Sequence, residues 1–133
     1  MSDLEDALFL MLHSKVHRRW RVEDIERLII PPIKLQQCGF LRQDDKAVGF
    51  FTFGLFSNES SDGYKNGTRK IQPNDWQSGN NLWIVDFIAP FGHTKEMFKH
   101  FKKYDFLHDA KFIRSHSKKK VRAKGKILEN VKQ

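Results

Sequence analysis

An α+β domain built on a mainly antiparallel central sheet flanked by helices is what the order of patterns along this chain predicts. Two segments near the N-terminus carry apolar residues at helical spacing. The middle of the chain changes to aromatic and β-branched runs separated by turn residues. Helical spacing then returns once, after the longest apolar run. With 133 residues, 39% of them hydrophobic and twelve of them Phe, the chain has material for one packed core.

Ser2 to His13 reads as a helix. Ser2 and Glu5 have capping-box spacing, and Leu4, Ala7, Leu8, Met11 and Leu12 share one face. Val22 to Ile30 is the second helix, ended or redirected by Pro31-Pro32. Phe40 to Arg42 and Val48 to Phe56 are strands around a Gln43-Asp44-Asp45-Lys46 hairpin turn. Ser57 to Pro73 is polar and reads mostly as loop, with room for a short helical turn from Glu59. Asp75 to Asn80 is a turn into the strand Leu82 to Ala89. Thr94 is placed to cap a helix running to about Lys103, with Met97, Phe98 and Phe101 on its apolar face. Lys111 to Ser115 is a last short strand. The expected domain is 1-116, with a basic C-terminal tail at 117-133.

The single cysteine, Cys38, excludes an internal disulfide and fits a reducing compartment. It stands in no motif and reads as a small packing residue. The acidic N-terminus lacks the order of a signal peptide, and no apolar run approaches a membrane span. A cytoplasmic protein without stable membrane insertion is expected. The net charge of +8 favours an acidic partner without choosing its class. Six of the nine residues from Lys118 to Lys126 are basic. They form either an electrostatic patch or a solvated tail. No aromatics interleave with them, so no base-stacking platform is visible.

The most apolar stretch holds one carboxylate. Ten of the eleven residues from Leu82 to Gly92 are uncharged, and the exception is Asp86. A charge in such a strand is costly unless it is paired or lines a cleft. Asp86 is therefore either a structural ion-pair member or part of a site. His17 lies on the polar connection between the first two helices, beside Ser14, Arg18 and Arg19. An imidazole there is able to move protons near neutral pH, though a surface histidine beside a basic pair is the plainer reading. His13, His93, His100, His108 and His116 compete with it. No Cys/His spacing suggests zinc, and no Walker loop, GxGxxG or GxSxG occurs. Pro90 to Thr94 forms a strand-to-helix turn, a weak signal for anion binding.

Three segments together carry a resemblance. They are His17-Arg18-Arg19-Trp20, Pro31-Pro32-Ile33 with Gln37 downstream, and Asp75-Trp76-Gln77-Ser78-Gly79 leading into Leu82 through Gly92. Over roughly Leu8 to Arg114 the chain resembles the toxin-activating lysine-acyltransferases of haemolysin-type RTX protoxins. The resemblance implies a GNAT-like fold and transfer of a fatty acyl group from acyl carrier protein to internal lysines of an RTX protoxin. It implies no cofactor beyond acyl carrier protein as donor, a bacterial cytoplasmic location and a homodimer. It places catalytic roles on His17, Asp86 and Ser14, and an arginine of the last core strand on Arg114. Arg18, Arg19, Arg114 and the lysine run are candidate docking groups for an acidic carrier protein. Phe51-Thr52-Phe53-Gly54 departs from the family's Ser-Trp-Ala tendency on a core strand. Two other readings compete: a basic nucleic-acid-binding module, and a carrier-protein adaptor without turnover.

Overall fold

The computed structural model describes residues 2–113. Arg114, the Lys118 to Lys126 run, the end of the Lys111 to Ser115 strand and the boundary at 116 lie outside them. Helix α1 spans Asp3–Leu12 and opens on the Ser2/Glu5 capping box. Each partner satisfies the other's backbone N–H, at 3.1 and 3.2 Å. A 3-10 turn, His17–Arg19, leads to α2, Val22–Leu28. Pro31 and Pro32 redirect the chain by opening a new helix, α3, Ile30–Lys34. They lie in its first turn, where a missing N–H leaves no bond unmade.

Strands β1, Cys38–Gln43, and β2, Lys46–Phe56, form the hairpin. Asp44 and Asp45 both turn with positive φ, 51° and 65°. That backbone matches the twist of a two-residue hairpin, and aspartate tolerates it better than most residues. The segment expected to be mostly loop holds α4, Asn58–Asn66. Ser57 caps it and Gly67 ends it at φ 70°. The residues it buries are Ser60, Ser61 and Gly63, so no apolar stripe marks it in the sequence. Strand β3 is Asn81–Ile88, α5 is Thr94–Phe101 and β4 is Lys111–Phe112. Thr94 is the first residue of α5 rather than its cap; His93 holds that position without a side-chain bond.

The sheet order is β1-β2-β3-β4. The first two pairings are antiparallel and β3–β4 is parallel, so the sheet is mixed. One face carries Phe50 and Ile88 against Ala7, Leu10 and Met11 of α1 and Ile29 beyond α2. The other carries Phe51 and Ile84 against Met97, Phe98 and Phe101 of α5. A third cluster joins Phe56, Trp76 and Trp83 with Leu28, Tyr64 and Val85. Seven consecutive positions from Gly49 to Leu55 hold four buried residues in a row, the mark of a central strand covered on both faces. No helix among the described residues is long and apolar enough to cross a membrane.

The hairpin turn offers a direct check. Asp45→Gly relieves a left-handed residue of its Cβ and is expected to stabilise the domain by up to about 1 kcal/mol. A thermal midpoint that rises in calorimetry meets the expectation.

Candidate active site

A register break in the sheet sets the position of Asp86. Phe51 pairs with Phe87 and Phe53 with Ile84. Thr52 alone therefore faces two residues, Val85 and Asp86. This is a β-bulge, and it shifts the alternation of side chains by one. Ile84 and Phe87 point to the α5 face, while Val85 and Ile88 join clusters on the face of α1 and α2. Asp86 goes with the latter pair. Its backbone N–H leaves the ladder and donates instead to Thr52 Oγ1, at 3.1 Å. Thr52 has no exposed surface.

His17 reaches the same place from the helical layer. The 3-10 turn follows α1 directly, and Ser14 supports it in two ways. Ser14 O accepts from Arg18 N–H at 2.9 Å, and Ser14 Oγ accepts from His17 N–H at 3.4 Å. The His17 ring packs on Trp20 with centroids 4.7 Å apart. Its Nε2 lies 3.2 Å from Asp86 Oδ1, and its Nδ1 lies 2.6 Å from Ser14 Oγ. The two side chains are 12% and 10% exposed, so a substrate still has access at one edge. Asp86 Oδ2 is buried and has no hydrogen-bond partner among the described residues. Such a group costs stability and is commonest at working sites.

Proton positions follow from charge. A carboxylate at Asp86 accepts, so Nε2 carries the imidazole proton and donates to it. Nδ1 is then the basic nitrogen, and the Ser14 hydroxyl donates to it. Serine, imidazole and carboxylate line up as in a hydrolase triad, with the two ring nitrogens exchanged. Tyr64 is a further neighbour. Burial first, and then the charge of Asp86, push its phenol well above the ordinary tyrosine range.

The other candidates are placed as follows. Arg18 and Arg19 are exposed on the turn that carries His17. Cys38 is partly buried against the α1 cluster, and burial pushes its thiol up to about 11, which suits packing rather than attack. His13 lies between the Phe9 and Phe91 rings. His93 Nε2 lies 3.2 Å from Gln43 Oε1, and burial holds the His100 imidazole below its ordinary value. Among the described residues none of these three forms an ion pair with a carboxylate, as His17 does. The His108 side chain and His116 lie outside the described residues. Among the described residues no group of three His, Cys, Asp or Glu is arranged for a metal.

The most distinctive motif, Asp75-Trp76-Gln77-Ser78-Gly79, does not enter the site. It braces it. Asp75 accepts from Ser60 Oγ at 2.9 Å, Arg69 Nη2 at 2.7 Å and Gln72 N–H at 2.7 Å. Burial works to raise its pKa, but these three donors outweigh it and hold the carboxyl below the ordinary 3.8. Trp76 is fully buried and donates to the Arg27 carbonyl at the end of α2. Ser78 donates to Asp75 O and accepts from Ser57 N–H. A Cβ on Gly79 would lie 2.6 Å from Phe56 O and Ser57 Cα, so only glycine lets the two backbones approach. Gln37 completes the brace, donating to Phe53 O and Trp76 O at 3.0 Å each.

The chain is similar to known proteins over most of its length. A sequence model of the RTX toxin acyltransferase family matches residues 3–132. A leukotoxin-activating lysine-acyltransferase, LktC, of a Pasteurella haemolytica-like species is 33% identical over 96 residues, covering 72% of this chain and 58% of that protein. The lysine-acyltransferase RtxC of Vibrio cholerae is 33% identical over 102 residues, covering 76% of this chain and 67% of that protein. The RTX-II toxin-activating lysine-acyltransferase ApxIIC of Actinobacillus pleuropneumoniae is 30% identical, covering 96% and 84%. The match thus spans under two thirds of the first relative's length.

Two expectations test the scaffold. Thr52→Val keeps the shape but orphans the bulge N–H, at an expected cost of about 1–3 kcal/mol in urea denaturation, with Thr52→Ser much milder. Asp75→Asn should lower stability at pH 7 by about 2 kcal/mol. Because the folded carboxyl titrates below 3.8, its contribution is complete above that value and is lost as pH falls through the folded pKa. The gap between Asp75→Asn and the unmutated chain should therefore close in acid, measured as denaturation midpoint against pH.

Proposed function

The chain belongs to the RTX toxin acyltransferase family, and from that premise we propose that it transfers a fatty acyl group from acyl carrier protein to internal lysines of an RTX protoxin. The observation that carries the reading is the Ser14–His17–Asp86 line, 2.6 and 3.2 Å between successive partners. A lysine ammonium is no nucleophile until it loses a proton. In the proposed reaction the free amine attacks the thioester carbonyl. His17 Nδ1, directly or through the Ser14 hydroxyl, takes the second proton from nitrogen as the C–N bond forms. Asp86 holds Nε2–H and stabilises the imidazolium. The C–S bond then breaks and the imidazolium returns its proton to the departing thiolate. The products are an amide and the free carrier thiol.

The carrier protein is acidic by class, and the exposed Arg18 and Arg19 flank the reacting histidine, which supports a donor that docks on this side. The same reading carries a bacterial cytoplasmic location, a homodimer and a GNAT-like fold. The antiparallel β1-β2-β3 meander with β4 added in parallel supports that fold. Arg114 remains a proposed substrate contact. A pair as closely set as His17 and Asp86 favours turnover over a binding-only adaptor.

The test is co-expression of the chain with acyl carrier protein and an RTX protoxin, followed by mass spectrometry of the protoxin lysines. Acylated lysines are expected with the unmutated chain. His17→Ala should cut transfer by about 10²- to 10⁴-fold while circular dichroism stays unchanged. Ser14→Ala should fall between the two. A protoxin left unmodified by the unmutated chain, or fully modified by His17→Ala, overturns the proposal.

A further inference from the structure

A cavity of about 500 Å³ opens between the end of α2, the chain leaving α4 and the residue after β4, and Tyr64, which feels the charge of Asp86, forms part of its wall. Its volume is that of a small-ligand site. Its two kinds of lining are segregated by chemistry. Leu28, Tyr64, Ile71 and Ile113 supply an apolar surface. Arg27, Arg69 and Lys70 supply three cations, and among the described residues no carboxylate is part of the lining.

The cations differ in freedom. Arg27 is 12% exposed, donates through Nη1 to the Ile71 carbonyl at 2.7 Å and through Nη2 to Asp24 Oδ1 at 3.4 Å, and has a buried Nε without a partner among the described residues. Arg69 is held by Asp75 but remains 39% exposed. Lys70 is exposed on the same loop. The brace around Asp75 thus fixes the loop that presents two of the three charges. Tyr64 belongs to the cavity wall and also to the surroundings of Asp86. Its ring lies 5.1 Å from the Trp83 ring, three residues before Asp86 on β3.

Asp24 and Asp75 lie beside the two arginines rather than in the cavity lining, so the wall facing the cavity keeps a positive excess, carried mainly by Lys70, which suits a lysine-bearing acceptor peptide poorly. A bare fatty tail uses the apolar wall but gains nothing from the charges. An anionic phosphodiester on a branched aliphatic arm uses both. We propose that this cavity seats the phosphate and the adjoining dimethyl-bearing segment of the phosphopantetheine arm of the acyl donor. The assignment rests on the acyl-transfer reading given above. The phosphate meets Arg69, Lys70 and Arg27, and the aliphatic segment lies on Leu28, Tyr64 and Ile71. The thioester end of the arm then runs past Tyr64 toward His17 and Asp86. The acceptor lysine is left the opposite, open edge of the site.

The experiment is calorimetric titration of the full chain with 4′-phosphopantetheine, pantetheine and inorganic phosphate. The phosphorylated arm is expected to bind at least tenfold more tightly than either fragment. Lys70→Glu should remove most of that advantage, and Lys95→Glu, which makes the same charge change on α5, should not. In acyl-transfer assays Lys70→Glu should raise KM for the acylated carrier protein about tenfold more than it lowers kcat. Equal affinity for the arm and for pantetheine, binding of phosphate alone as an ion without gain from the arm, no detectable binding, or indifference to Lys70→Glu each overturns the cavity assignment. Failure of the unmutated chain to acylate any protoxin would instead strike the acyl-transfer reading, and the titration still decides the cavity.

Discussion

One surplus residue in β3 is the constraint on which the site depends. In a regular strand Asp86 would share a face with Ile84 and point into the aromatic core under α5. The bulge opposite Thr52 turns it to the other face, where the turn after α1 delivers His17. The same bulge frees a backbone N–H, and a fully buried threonine hydroxyl accepts it. Register, side-chain direction and hydrogen-bond satisfaction are thus settled by one local irregularity. Removing it would not weaken the His17–Asp86 pair; it would place the carboxylate on the wrong side of the sheet.

The energetics of that pair argue for work rather than stability. Burying a carboxylate costs several kcal/mol, and one imidazole repays only part of it. Asp86 Oδ2 is left without a hydrogen bond, a deficit that the rest of this core avoids for most of its polar groups. The domain tolerates this because its core is dense elsewhere. Trp76, Trp83, Phe50, Phe51 and Phe56 are all essentially fully buried. They hold both layers against the sheet whatever the protonation state of the site.

The brace around Asp75 shows how a recognisable motif serves geometry. Trp76 ties the chain after α4 to the end of α2, Ser78 ties it to the residue after β2, and Asp75 holds Arg69 and Gln72 within it. That connection keeps α2, and with it the 3-10 turn of His17, at a set distance from β3. It also frames the cationic loop of Arg69 and Lys70. Residues that never approach the substrate thereby decide where the reacting groups stand and which side of the site is positively charged. A motif of this kind is easily taken for chemistry, since its residue types, an acid, a tryptophan and a serine, are those that active sites also use.

Most of the fold was legible because its signals are local. The Ser2/Glu5 capping box, the helical stripe of α1, the hairpin turn and the apolar run of β3 each act over a few residues. Helix α4 was not legible, because it buries serines and a glycine instead of an apolar stripe. For the site, the chain by itself determined that Asp86 needed a partner, since a charge in an apolar strand is costly wherever that strand lies. Composition and spacing left its role open between a structural ion pair and a site, and the family resemblance pointed to His17. Only the tertiary structure decided the pairing and its direction. The alternation of β3 depends on a bulge opposite Thr52 of another strand, whose hydroxyl accepts the N–H that the bulge frees. The reach of His17 depends on how α1 packs, and contacts between residues 69 apart are set by packing rather than by local preference.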